Sequence, residues 1–125
     1  MLIKTISIRQ PWAWAIFYGK PVENRTWYSK YRGPLLVHAG KTFDIEGFHW
    51  IIENQAKLNI DGFIPIKSDF QMGGIIGKVN MVACVPLYAS PWFFGPWGHV
   101  YENQKPLPFF PCKGQPGIFE VDYAE

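Results

Sequence analysis

A period-two pattern between residues 75 and 85 is the feature that most restricts the fold of this 125-residue chain. Every second residue from Ile75 to Val85 forms one face, and Lys78 and Asn80 mark the other, as in a half-buried strand. We predict that this segment is the longest strand and the centre of the sheet. The length indicates one domain, residues 1–125, with a core of its own.

Shorter segments predict the remaining elements. Period-two patterns predict strands at residues 6–9, 22–27, 35–39, 99–103 and 118–121. Helical patterns cover residues 12–18 and about 43–56, where Ile45, Phe48, Ile52 and Ala56 form the predicted inward stripe. We predict loops at residues 57–74, 86–98 and 105–116. The order predicts an α+β fold, a small, mostly antiparallel β-barrel with two or more flanking helices, and an OB-like barrel fits this pattern equally well.

Positive charge is concentrated at the start of the chain. Residues 1–41 hold seven Lys and Arg and a single acid, Glu23, which gives a formal charge of +6, whereas the remainder carries −4. Tryptophan and tyrosine side chains are interleaved with these bases. A compact basic field attracts phosphates, and flat aromatic rings stack on bases, so this third of the chain favours nucleic-acid binding.

Several classes of site and location are disfavoured. Cys84 and Cys112 form no C-x-x-C pair, and free thiols are favoured over a disulfide between them. The three histidines show no zinc-ligand spacing, so we expect no metal and no cofactor. No signal peptide or membrane-length apolar run is present, which predicts a soluble cytoplasmic protein without a membrane partner. P-loop, G-x-S-x-G and Rossmann patterns are absent, and the oligomeric state is not indicated.

Nearly the whole chain resembles the ASCH domain family. The resemblance is carried by SIRQPWA at residues 7–13, by residues 19–20, 22–23, 25 and 27, by YRGPLLVHA at residues 31–39, by GGIIGKV at residues 73–79 through Cys84, and by residues 90–93 through 102–103. It implies a PUA-like fold and binding of RNA or DNA. It also implies an enzymatic alternative, because a few members are hydrolases of acetylated cytidine or ribonucleases.

The strongest candidate site in the sequence is the charged cluster of Lys20, Glu23 and Arg25. In the deacetylating members of the family, a lysine at the position of Lys20 is catalytic beside a threonine, and Glu23 stands where that threonine is expected. Glu23 lacks the hydroxyl, but it could act as a general base or as an acceptor for a nucleobase. We therefore take Lys20 and Glu23 as candidate catalytic residues, with a purely structural ion-pair cluster as the alternative. Strand alternation predicts that Thr26 points to the opposite face.

Twelve residues are candidate contacts for a nucleic acid or nucleotide. Gln10 could pair with a base edge or cap a helix, Trp12 is favoured as a core residue, and His38 is favoured as a hydrogen-bonded strand histidine. The loop at residues 92–97 could be a lid that stacks on a base, or a hydrophobic anchor. The side chains of residues 30–32 could contact phosphates or form a solvated turn. The full set is Arg9, Gln10, Trp12, Arg25, Trp27, Lys30, Tyr31, Arg32, His38, Lys41, Trp92 and Phe94.

These observations support three hypotheses of function. The leading one is a nucleic-acid-binding module, RNA favoured, with a basic, aromatic-lined cleft for a base or nucleotide. The second is a hydrolase that acts on a small modified nucleoside such as N4-acetylcytidine, with a metal-independent ribonuclease as a variant. The third is a protein-interaction module that uses the loop at residues 92–97.

Overall fold

The computed structural model describes residues 1–124, which form six strands and three helices. The strands are β1 (Leu2–Gln10), β2 (Val22–Arg25), β3 (Gly33–Phe43), β4 (Gly74–Val85), β5 (Trp97–Pro111) and β6 (Ile118–Asp122). The helices are α1 (Trp12–Ile16), α2 (Ile45–Glu53) and α3 (Gln55–Leu58), and a short 3₁₀ turn covers Lys67–Asp69. The α+β class is confirmed.

The strands form one mixed sheet in the order β2-β5-β4-β3-β1-β6. Of the five strand pairs in the described residues, the β1–β3 pair is parallel, with Thr5 opposite Leu36, and the other four are antiparallel. Within residues 1–124 no ladder joins the edge strands β2 and β6, so the hydrogen bonding gives an open sheet where a closed barrel was expected.

The sheet nevertheless curls strongly. Arg25 at the end of β2 donates from Nη2 to the carbonyl oxygen of Ser7 in β1, at 2.9 Å. β1 lies four places from β2 in the sheet, which is about 19 Å in a flat arrangement. A single side chain cannot span that distance, so the curvature brings the two strands together across the face that carries the site.

The two larger of three apolar clusters in the described residues hold the elements in place. One lies along the sheet and contains Ile6, Ile8, Leu35 and Val37, which are at most 2% exposed. The other lies under the helices and contains Trp14, Ile51, Leu58, Phe70 and Trp92. Burial of this much aliphatic and aromatic surface is the main driving force for packing the helices onto the sheet.

The strand prediction was wrong for the proline-rich segment. Residues 105–116 were expected to be a loop, but β5 continues through Pro106 and Pro108 to Pro111 and, at 15 residues, is longer than the 12-residue β4. The ladder with β2 ends at Val100, so the later half of β5 pairs only with β4. A strand that pairs on one side tolerates proline, which lacks an N–H donor.

The predicted helix at residues 43–56 is divided. β3 extends to Phe43, Asp44 caps α2 by accepting from the Gly47 N–H at 2.9 Å, and the helix ends at Glu53. The expected inward stripe was therefore wrong: Ile45 and Ile52 are 43% and 39% exposed, whereas Gly47 and Ile51 are buried. The helix is rotated because Gly47, which has no side chain, packs directly against the Trp12 ring.

Candidate functional site

A cleft of about 590 Å³ opens between β1, β2, α1 and the loop that follows Trp92. This volume is in the range of small-molecule sites in proteins. It brings together half of the predicted site residues, namely Arg9, Trp12, Lys20, Glu23, Arg25, Trp27 and Phe94.

An ion-pair triad forms the floor of the cleft. Lys20 follows α1, where its backbone N–H bonds the Ala15 carbonyl, and its Nζ lies 2.7 Å from Glu23 Oε1. Arg25 Nε donates to the other carboxylate oxygen at 3.1 Å. Lys20 is 2% exposed and Glu23 is 7% exposed. Burial alone would raise the pKa of Glu23, but the charges of Lys20 and Arg25 outweigh it and hold that pKa below its usual value.

The triad leaves hydrogen-bond donors unused at the cleft. The Lys20 ammonium has three N–H groups and, within residues 1–124, makes one hydrogen bond, to Glu23. Arg25 has five N–H groups and, in the same part of the chain, makes two hydrogen bonds, to Glu23 and to the Ser7 carbonyl. Since both side chains line the cleft, its floor is suited to acceptor atoms, such as carbonyl oxygens, ring nitrogens or phosphate oxygens.

Aromatic rings form the walls. Trp12 was favoured as a core residue, but it is half-buried and lines the cleft, where its Nε1 donates to Asp44 Oδ2 at 2.9 Å. Trp27 packs edge-on against the buried His99, with ring centroids 4.7 Å apart. Phe94 is 63% exposed at the rim and contacts Trp50. The cleft therefore offers flat apolar faces above a polar floor.

Asn24 positions the loop that carries Phe94. Its Nδ2 donates to the Trp92 carbonyl at 3.0 Å, and its Oδ1 accepts from the N–H groups of Phe94 and Gly95 at 2.8 and 3.0 Å. Trp92 is 2% exposed and donates from Nε1 to the Leu58 carbonyl. Trp92 thus anchors the loop and lies outside the cleft, although it was predicted as a ligand contact.

Sequence reasoning missed five lining residues of the cleft, Ser7, Ile8, Asn24, Thr26 and Asp44. Asp44 fixes Arg9 as well as Trp12, with Arg9 Nη2 3.7 Å from its Oδ2. Burial opposes ionisation of Asp44, but hydrogen bonds from Gly47 and Trp12 and the charge of Arg9 prevail, so its pKa is lowered. Ser7 lines the cleft from β1. Thr26 also lines it, because β2 ends at Arg25 and the chain bends at residues 26–27 instead of continuing to alternate.

Gln10 and His38 have structural partners instead. Gln10 is 1% exposed, accepts from the Trp14 N–H at 2.8 Å and donates to the Gln71 carbonyl at 2.8 Å. His38 donates from Nε2 to the Cys112 carbonyl at 2.8 Å, and its Nδ1 lies 2.9 Å from Ser7 Oγ. His38 is therefore a hydrogen-bonded strand histidine, and with Lys41 it lines a neighbouring groove.

The loop at residues 30–32 does not reach the cleft. Arg32 bonds the carbonyls of Ser29 and Tyr31, and the Tyr31 hydroxyl bonds the Pro34 carbonyl. Lys30 is exposed. This loop stabilises itself and contributes nothing to the walls described above.

The described residues show neither a metal cluster nor a disulfide. Within residues 1–124 no three His, Cys, Asp or Glu side chains lie close enough to share an ion, and both cysteines are free. No helix in this part of the chain combines the length and hydropathy needed to cross a membrane.

Comparison with known proteins identifies one family. The family model described as the ASCH domain matches residues 6–109. The chain is also similar to a human protein, Activating signal cointegrator 1, with 28% identity over 129 residues. That match covers 94% of this chain but 22% of the human protein, so the chain corresponds to less than a quarter of that relative's length.

Proposed function

The chain belongs to the ASCH domain family, and on that premise we propose that it is a nucleic-acid-binding module whose cleft takes one base or nucleotide, with RNA favoured. ASCH domains are generally related to RNA binding. The strongly curled sheet with short helices packed on it supports the PUA-like fold that the family resemblance implies.

The observation that carries this proposal is the combination of donor floor and aromatic walls in one cleft. Trp12, Trp27 and Phe94 offer ring faces and edges to a planar base. Lys20 and Arg25 supply N–H groups to its carbonyl oxygens and ring nitrogens. Stacking is worth about 1–3 kcal/mol per base and is tolerant of base identity, whereas the donors restrict which edge faces the floor.

Three further polar groups of the cleft favour RNA over DNA. The hydroxyls of Ser7 and Thr26 and the carboxylate of Asp44 line the same cleft. Each can accept a hydrogen bond from a ribose 2′-hydroxyl, the group by which proteins tell RNA from DNA. A deoxyribose lacks this 2′-hydroxyl donor.

Phe94→Ala provides the test, with Phe63→Ala as the matched control. Phe94 lies at the rim of the cleft, whereas Phe63 is 97% exposed and lies elsewhere. We expect Phe94→Ala to weaken binding of a short single-stranded RNA at low salt by roughly five- to a hundredfold in fluorescence anisotropy, and Phe63→Ala to leave it unchanged. Equal affinities of the two variants, or no binding by the unchanged protein, would contradict the proposal.

A hydrolase is the second candidate, because Lys20 and the hydroxyls of Ser7 and Thr26 line one cleft. The contact with Glu23 weakens this candidate, since Lys20 Nζ donates to Glu23 Oε1 at 2.7 Å and is already engaged with a carboxylate. Incubation with N4-acetylcytidine, and with RNA in the presence of a chelator, tests the deacetylase and ribonuclease forms. Product formation that Thr26→Ala abolishes would establish the enzyme, and intact substrates would exclude it.

A further inference from the structure

A second groove lies beside the cleft. It encloses about 520 Å³ and is lined by residues of β1, β3 and the loop between β5 and β6. Ser7 and Arg9 line both depressions. These two residues alternate with Ile8 on β1, which is buried, so their side chains point to the same face and form the boundary between groove and cleft.

The groove differs from the cleft in charge. Arg9, Lys41 and Lys113 line it, and no carboxylate of residues 1–124 is among its lining residues, whereas the cleft contains Glu23 and Asp44. Neither Lys41 nor Lys113 forms an ion pair with another residue of the described chain. Two lysines without an ion-pair partner, beside Arg9 whose guanidinium is paired with Asp44 on the cleft side, attract an anion.

The wall of the groove is held by side-chain contacts, and its loop contains backbone donors without a partner in the described residues. His38 ties Ser7 to the Cys112 carbonyl, and Gly114 packs so closely that a Cβ there would lie 2.8 Å from Ser7 Oγ. The backbone N–H groups of residues 113–115 make no hydrogen bond within residues 1–124. A glycine-containing loop with free N–H groups beside lysines is suited to phosphate oxygens.

We propose that this groove binds the phosphodiester backbone of the nucleotides adjacent to the one in the cleft. The inference builds on the proposed function and adds the path of the strand, from the cleft across Arg9 to Lys41 and Lys113. Arg9 is positioned for this by Asp44, which leaves its side chain 59% exposed. The cleft would contact the base, and the groove would contact charge irrespective of sequence.

The test compares two double variants with the same change in net charge. Lys41→Gln with Lys113→Gln removes the groove's lysines, and Lys57→Gln with Lys105→Gln removes two exposed lysines that line neither depression. Binding of a single nucleoside and of a single-stranded RNA octamer is measured by calorimetry at several salt concentrations. Each lost phosphate contact on a single strand reduces the slope of log K against log salt by about 0.7.

We expect the groove variant to bind the octamer about tenfold more weakly than the control variant, with a slope smaller by about 1.4, and to bind the nucleoside unchanged. Equal octamer affinity and slope for both variants would overturn the groove while leaving the base cleft intact. If the unchanged protein does not bind the nucleoside, the proposed function itself is overturned. Full competition by inorganic phosphate, beyond that of chloride at equal ionic strength, would assign the groove to free phosphate and overturn the strand path.

Discussion

At the scale of single residues, Glu23 determines whether the floor of the cleft is stable. It is the one carboxylate between two cations, of which Lys20 is almost fully buried. Glu23→Gln keeps the shape but removes the charge, which leaves the Lys20 and Arg25 charges uncompensated. Removal of one partner of a buried ion pair costs about 3 kcal/mol, and we expect that loss in the free energy of unfolding measured with urea.

The same variant has a predicted pH dependence. The folded pKa of Glu23 lies below its usual value, so the unfolded chain binds more protons there, and the stability contributed by Glu23 is complete above the usual pKa and lost as the pH falls through the folded one. Urea titrations between about pH 3 and about pH 7 should show a smaller loss on acidification for Glu23→Gln. Glu53→Gln, an exposed change on α2, is the control and should behave as the unchanged protein. Identical pH profiles for all three would contradict this account.

At the scale of elements, helix α2 packs against the cleft through a glycine. A Cβ at Gly47 would lie 2.8 Å from Asp44 Oδ2 and would contact the Trp12 ring even more closely. Alanine improves intrinsic helix propensity by about 1 kcal/mol, but overpacking costs about 1–3 kcal/mol, so Gly47→Ala should destabilise the fold. It should also weaken nucleoside binding, because Trp12 is displaced. His49→Ala, on the exposed side of the same helix, should change neither quantity in thermal unfolding and calorimetry, and equal effects of both changes would refute the mechanism.

The elements also show what local pattern can and cannot predict. The segment at residues 75–85 was predicted almost to its bounds as a strand, because alternation is a property of consecutive residues. The bounds of β5 were not predicted, because its prolines are tolerated only where no second strand pairs with it. Strand pairing depends on residues far apart in the sequence. The rotation of α2 likewise depends on the Trp12 ring against Gly47, a contact that no helical periodicity contains.

The site, too, has contacts between near neighbours in the sequence, which were predicted, and contacts between distant residues, which were not. Lys20, Glu23 and Arg25 lie within six residues of one another, so a turn followed by a strand brings them together and their charges signal the cluster. Asp44 lies 32 positions from Trp12, and Asn24 lies 68 from Trp92, so neither contact has a local sequence signal. An aspartate before a helix indicates an N-cap, and Asp44 is the N-cap of α2. Its second role, at the cleft, depends on the curl of the sheet.

At the scale of the whole molecule, the cleft exists only when distant parts of the chain are assembled. Its lining comes from β1, α1, β2, Asp44 and the rim residue Phe94, and Arg25 joins β2 to β1 across the curled sheet. The unfolded chain has no such surface, so a ligand of the cleft binds the folded state alone. Binding should therefore stabilise the entire fold, by about 2.7 kcal/mol at about a hundred times Kd.

For a domain of this size that stabilisation corresponds to a rise in Tm of about 10 °C, measured by calorimetry with the tightest-binding nucleoside. A nucleoside is the sharper probe because it is uncharged, so the shift cannot arise from general screening of the basic third of the chain. Phe94→Ala should need more ligand for the same shift, because its loss weakens stacking, whereas Phe63→Ala should match the unchanged protein. A Tm that stays constant while calorimetry reports saturation would mean that the ligand binds folded and unfolded chains equally, which a cleft assembled from five segments does not permit.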